Sequence, residues 1–232
     1  MSPDPRLLAC RQRDGRRELA PQLGGTGRLA DDLYLMAHND VTGKPRLQPR
    51  AVGIGLAGAL LAELALLGKI WVQPDRTTVA DPTRPEDDLA GLVLGLLCSE
   101  QHAARDWLLF LARTAARDVA RRLANSGYLS RVSARRPWRG ERWVPVDSDC
   151  AFTPLVRVIP ALVPSRRVSV HGACLAGLAN ACGLGPRMFS YAPPHATREC
   201  LDQAVRQLSP GLCQLIAQTQ AAVESAVLAQ RA

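Results

Sequence analysis

The segment Ala51–Gly68, AVGIGLAGALLAELALLG, constrains the fold more than any other part of the chain. A helix that is apolar on all sides is either buried in protein or spans a bilayer. A span takes about 20 apolar residues. This run is slightly short, contains Glu63, and carries Gly53, Gly55 and Gly58, small residues that let neighbouring helices approach closely. It reads as the buried central helix of a helical protein. Glu63 inside it must be paired, exposed or held at a raised pKa. We expect a structural ion pair with an arginine, ahead of a functional acid.

Aromatic residues make up only 4% of the chain, so Leu, Ala and Val must fill the core, which favours helix packing over a β-sandwich. A hydrophobic content of 47% with 22% charged residues excludes wholesale disorder and a polytopic membrane protein. The expected fold is mainly α, a single globular helical domain over residues 28–232 with a protruding β-hairpin at about 129–147. Residues 1–27, rich in Pro, Gly and Arg, read as a flexible arm. They lack an apolar run, so no signal peptide is expected and the expected location is cytoplasmic.

Leu29, Leu33 and Met36 recur at helical spacing behind Asp31 and Asp32, which suit a first helical turn. The turn Asn39–Gly43 ends that helix. After the central helix, Lys69–Gln73 reads as a short strand, Pro74–Pro85 as a loop and Glu86–Cys98 as a helix. Ala103–Asn125 reads as one long amphipathic helix with Leu108, Leu111, Ala115, Val119 and Leu123 buried. On it, Arg113, Arg117 and Arg121 recur at i, i+4 and i+8 and share a face. Further helices are expected over Thr153–Val163 and Ser165–Ala181, then two from Thr197 to Gln230 after a Gly183–Pro194 loop.

Tyr128–Val132 and Glu141–Val146 flank the turn Pro137–Gly140, a hairpin pattern. It concentrates Arg135, Arg136, Arg139 and Arg142 with Trp138 and Trp143. Guanidinium forks bind phosphate through paired donors, and indoles sit at the headgroup level of a bilayer. The chain carries 29 basic against 21 acidic residues, a net charge of +8, which suits an anionic partner. Nucleic acid could use the same groups, but no helix-turn-helix, RNA-recognition or zinc-finger pattern accompanies them, so it ranks below lipid. Trp and Arg also serve at protein interfaces, so self-association through the hairpin is a third use.

Other chemistry finds little support. The seven cysteines form no closely spaced ligand pair and read as reduced core residues; no metal or cofactor is expected. No Gly-rich phosphate loop follows a strand. His38 beside Asp40 reads as a histidine at a helix C-terminus, ahead of a base with its orienting carboxylate. Asp31-Asp32, Glu86-Asp87-Asp88 and Asp147-Ser148-Asp149 resemble incomplete aspartate-rich motifs of isoprenoid cyclases. The first two open helices, where carboxylates are expected anyway. No catalytic residue is assigned, and the alternative is a small-molecule enzyme acting on an apolar, isoprenoid-like substrate in a helical cavity.

Leu29–Leu35, Asn39–Gly43, Gly55–Ile70, Val119–Leu123, Gly127–Leu129 and Arg166-Arg167 together resemble the Golgi phosphoprotein 3 family, in its actinobacterial branch. The resemblance implies a helical fold with a hairpin, no catalysis, and a peripheral membrane adaptor that binds phosphatidylinositol 4-phosphate and client proteins. It also implies self-association through the hairpin. Carried over by position, the family's headgroup tryptophan falls on Gln48, its arginines on Ala57, Arg113 and Ala116. One of the four is kept, with Arg117 adjacent to the last, so looser binding of anionic headgroups through Arg113, Arg117 and the hairpin arginines is what the sequence supports.

Overall fold

A computed structural model describes residues 26–132, 142–164 and 166–229. The flexible arm expected at 1–27 falls almost wholly outside these residues, as do Arg135, Arg136, Trp138 and Arg139.

The central helix forms where the apolar run predicts it. It is α2 (Pro49–Leu66), opened by Gln48 and Pro49, whose fixed φ suits a first helical turn. Although long and apolar enough to cross a membrane, it is enclosed by protein, with every residue from Ala51 to Leu64 buried. Around it pack α1 (Leu29–Ala37), α3 (Asp88–Ser99), α4 (Ala104–Leu111), α5 (Ala115–Asn125), α7 (Val170–Ala181) and α10 (Pro210–Leu228). Absence of a side chain at Gly53 lets α2 meet the end of α4, since a Cβ there would press on the Ala112 carbonyl. α6 (Ser148–Val158), a 3-10 turn at Ile159–Leu162, α8 (Gly185–Tyr191) and α9 (Arg198–Arg206) complete the helices among the described residues. The fold is mainly α, as expected.

Two antiparallel ribbons accompany the helices. β1 (Ile70–Val72) pairs with β2 (Thr77–Val79), and β3 (Leu129–Val132) with β4 (Arg142–Pro145). The second is the base of the expected hairpin, with Leu129 opposite Pro145 and Arg131 opposite Trp143. It rests on the turn after α1: Gly43 has φ +64° and lies against the Trp143 carbonyl, where any Cβ would collide.

Four sequence expectations need correction. The long helix over 103–125 is two helices. At Arg113 and Thr114 the backbone bonds tighten to Phe110 and Leu111, three residues back, and Thr114 then opens α5. The alternation of apolar and polar residues runs through the break, which is why periodicity alone missed it. The Pro74–Pro85 segment contains β2, because β-branched Thr77, Thr78 and Val79 pair with β1 and the Thr77 amide bonds the His102 carbonyl. The Gly183–Pro194 segment contains α8, started by Pro186 in the first turn. Capping also moves two helix starts: Asp147 accepts from the Asp149 amide and opens α6 early, while Ser169 accepts from Gly172 and opens α7 late.

Six of the seven cysteines are described, and all are free thiols. Cys174 and Cys182 are core residues, and burial pushes both thiols up to about 12. Cys98, by contrast, is exposed.

Candidate anion-binding surface and the buried ionic cluster

α5 begins at a tight turn and carries arginines in two environments. Arg117 and Arg121 point to solvent, and so does Arg113 in the preceding turn. Arg122, one residue beyond Arg121, is buried, because it follows Val119 by three positions and shares its inward face. The expected alignment of Arg113 with Arg117 and Arg121 on one continuous helix does not form, since the helical register restarts at Thr114.

Arg122 holds three carboxylates. Its Nε donates to Asp31 Oδ1 at 2.8 Å, its Nη1 to Glu63 Oε2 at 3.0 Å and Asp87 Oδ2 at 2.9 Å, and its Nη2 to Glu63 Oε1 at 3.1 Å. Glu63 also accepts from the Ala30 amide at 2.8 Å, and Asp87 caps α3 by accepting from the Ala90 amide at 2.9 Å. The cluster thus fastens α1, α2, α3 and α5 to one another. The paired Glu63 expected from the sequence is found, and its partner is Arg122.

Burial pushes the Asp31 carboxyl up to about 7, against the pull of Arg122 and reinforced by the neighbouring Glu63 charge. Asp87 is also desolvated, yet the Ala90 amide and the Arg122 charge outweigh that and hold it below the usual carboxylate range. Arg122 loses solvation as well, but Glu63 and Asp31 raise its pKa further and keep it charged.

Next to this cluster, Asp32 accepts from Arg157 Nη1 at 2.7 Å and lies 3.0 Å from His171 Nε2, joining α1 to α6 and α7. Asp31 and Asp32 lie in the first turn of α1, as expected, and there both are buried ligands of arginines. A cleft of about 470 Å³ opens onto Arg28, Glu63, Asp87 and His171, with Leu29, Leu66 and Leu67 on its wall. Glu63 and Asp87 in that cleft are both engaged by Arg122. His38 Nδ1 donates to the Tyr34 carbonyl, 2.7 Å away, and the ring stacks on that of Tyr34, whereas Asp40 is taken by Arg46. It is the histidine of a helix end and not half of a base pair with Asp40.

Of the expected binding residues, Arg113 and Arg117 stand close in sequence on either side of Thr114, both exposed. Arg117 makes a surface pair with Asp118 at 3.2 Å. Arg113 forms no side-chain hydrogen bond or ion pair among the described residues. It borders a groove of about 320 Å³ between α3 and the α4–α5 turn, lined by Leu89, Leu92, Leu96 and Phe110. Gln48 is exposed at the start of α2 and does not line this groove. Arg142 is exposed at the hairpin base, and Trp143 is half-buried against the core.

Sequence reasoning missed Arg122 and the groove. The first was detectable, because an arginine three residues after buried Val119 falls on the apolar stripe. The groove left a trace in α3, which is apolar around its whole circumference from Leu92 to Leu97.

None of the curated proteins matches the chain. The Golgi phosphoprotein 3 (GPP34) family model matches residues 29–229, from the first residue of α1 to the end of α10, and so takes in both the arginine cluster and the exposed turn. The chain belongs to the Golgi phosphoprotein 3 (GPP34) family.

Proposed function

We propose that this protein is a non-enzymatic adaptor that docks peripherally on anionic membrane and there engages a client protein. Family membership supports the adaptor role. The observation that carries the lipid part is the unpaired, exposed guanidinium of Arg113 beside Arg117, in a protein that buries its Arg122 in ion pairs. The ligand is an anionic phospholipid headgroup bound by charge. At the positions of a phosphatidylinositol 4-phosphate site, Ala57 is fully buried and Gln48 and Ala116 carry no charge, leaving Arg113 to meet the phosphate. The hairpin, through Arg142 and the arginines and Trp138 beyond it, adds a second contact or joins two copies. Against the enzyme alternative, Asp31, Glu63 and Asp87 are held by Arg122 and Asp32 by Arg157, so those carboxylates are taken up within the fold.

Each basic residue near an anionic surface contributes about 1 kcal/mol. Sedimentation with phosphatidylserine vesicles should fall roughly tenfold or more in Arg113→Ala/Arg117→Ala, and salt should reverse the wild-type binding. Equal sedimentation with neutral vesicles refutes the reading. Turnover of a prenyl diphosphate with magnesium would establish the alternative.

A further inference from the structure

α3 is apolar around its whole circumference and yet is not enclosed. Ala90, Val93, Leu94 and Leu97 are buried, Leu89 and Leu96 are half-buried against the edge of the core, and Leu92 stands outward; Leu89, Leu92, Val93 and Leu96 all line the groove. Leu92 is 59% exposed, and across the groove Phe110 of α4 is 50% exposed. A helix of this composition is ordinarily buried. With 12 residues it is about 18 Å long, well short of a bilayer span. Apolar surface that neither packs inward nor crosses a membrane suits the plane of the membrane interface.

We infer that the α3–α4 groove is the face that enters an anionic bilayer, with Leu92 and Phe110 below the headgroups and Arg113 at the phosphates. The inference rests on the proposed membrane docking and names the surface that does it. Arg113 stands on the wall of the same groove and makes no ion pair, while Asp118 on that wall is engaged by Arg117, so an apolar patch and a guanidinium open to an anion share one edge. A second copy of the chain is disfavoured as occupant. A two-fold contact on this face would bring the Arg113 guanidinium of each copy to one interface, where like charges repel, and the neighbouring Asp118 is already engaged by Arg117.

The test uses the full chain and vesicles of phosphatidylcholine with about a third phosphatidylserine, at about 0.1 M and 0.5 M salt. Wild type should keep part of its binding at the higher salt, because burial of apolar side chains is not screened. Leu92→Ser/Phe110→Ser should bind about tenfold more weakly at both salt concentrations, since two half-exposed side chains lose their burial. Both positions are exposed, so the fold should survive, which circular dichroism checks. Leu92→Trp should tighten binding, a gain that misfolding would not produce. Undiminished binding by the double variant overturns the inference and leaves membrane docking intact. So does a wild-type dimer that the double variant turns into a monomer with vesicle binding unchanged. Absence of wild-type binding to these vesicles overturns both readings.

Discussion

Arg121 and Arg122 are neighbours on α5, and they do opposite work. Arg122 is surrounded by Asp31, Glu63 and Asp87 and has exchanged water for a set of hydrogen bonds that join four helices. Arg121, with Arg117 and Arg113, keeps its water. A helical step turns a side chain by about 100°, and here that step separates a structural cation from one free to meet an outside anion. A positive net charge therefore says little about binding until the arginines used inside the fold have been set apart.

The sharpest way to break this comparison is to remove Arg122. Arg122→Met leaves buried Asp31 and Glu63 without their counter-ion and Asp87 with Arg28 alone, and chemical denaturation should show a loss of about 3–5 kcal/mol. A loss under 1 kcal/mol would mean that the cluster is not what fastens the helices. Next in size, Gly53→Ala forces a Cβ onto the Ala112 carbonyl and should cost about 1–3 kcal/mol by overpacking.

Asp31 tests the electrostatics of the buried side through pH. Its carboxyl titrates near 7 in the fold against 3.8 in the unfolded chain. Between these values the native state holds a proton that the unfolded state has lost. Its contribution to stability is thus full below about 4 and declines as pH rises towards 7, by at most about 1.4 kcal/mol per pH unit. Asp31→Asn lacks that titration, so its stability relative to wild type should climb over the same window and level off above it. A constant difference from pH 4 to 8 would show that Asp31 is ionised throughout. The smallest effect belongs to the exposed side: Arg113→Ala/Arg117→Ala should change stability by less than about 0.5 kcal/mol while weakening vesicle binding. A larger destabilisation would place these arginines with Arg122 as structural groups.

Much of the architecture was legible in local pattern. The run from Ala51 to Gly68 is apolar all round and had to be a central helix, and two β-prone stretches around Pro137–Gly140 had to pair. The break at Thr114 was not legible, because residues on both sides keep one amphipathic rhythm and the tight turn is imposed where α4 meets α2. The site was legible in part. Arg113 and Arg117 were identified and are exposed, while their supposed alignment depended on a helix that does not continue. Asp31 and Asp32 looked like ordinary first-turn acids, since nothing local tells of arginines 91 and 125 residues away.

The sequence by itself determined the helical class, the buried central helix and the need for Glu63 to find a cation, because periodicity and the cost of an unpaired buried charge are local facts. Only the tertiary structure decided that Arg122 is that cation, that Arg113 stands unpaired, and that α3 leaves Leu92 exposed at the edge of an apolar groove. Those outcomes depend on which helix packs against which, and distance along the chain does not encode it.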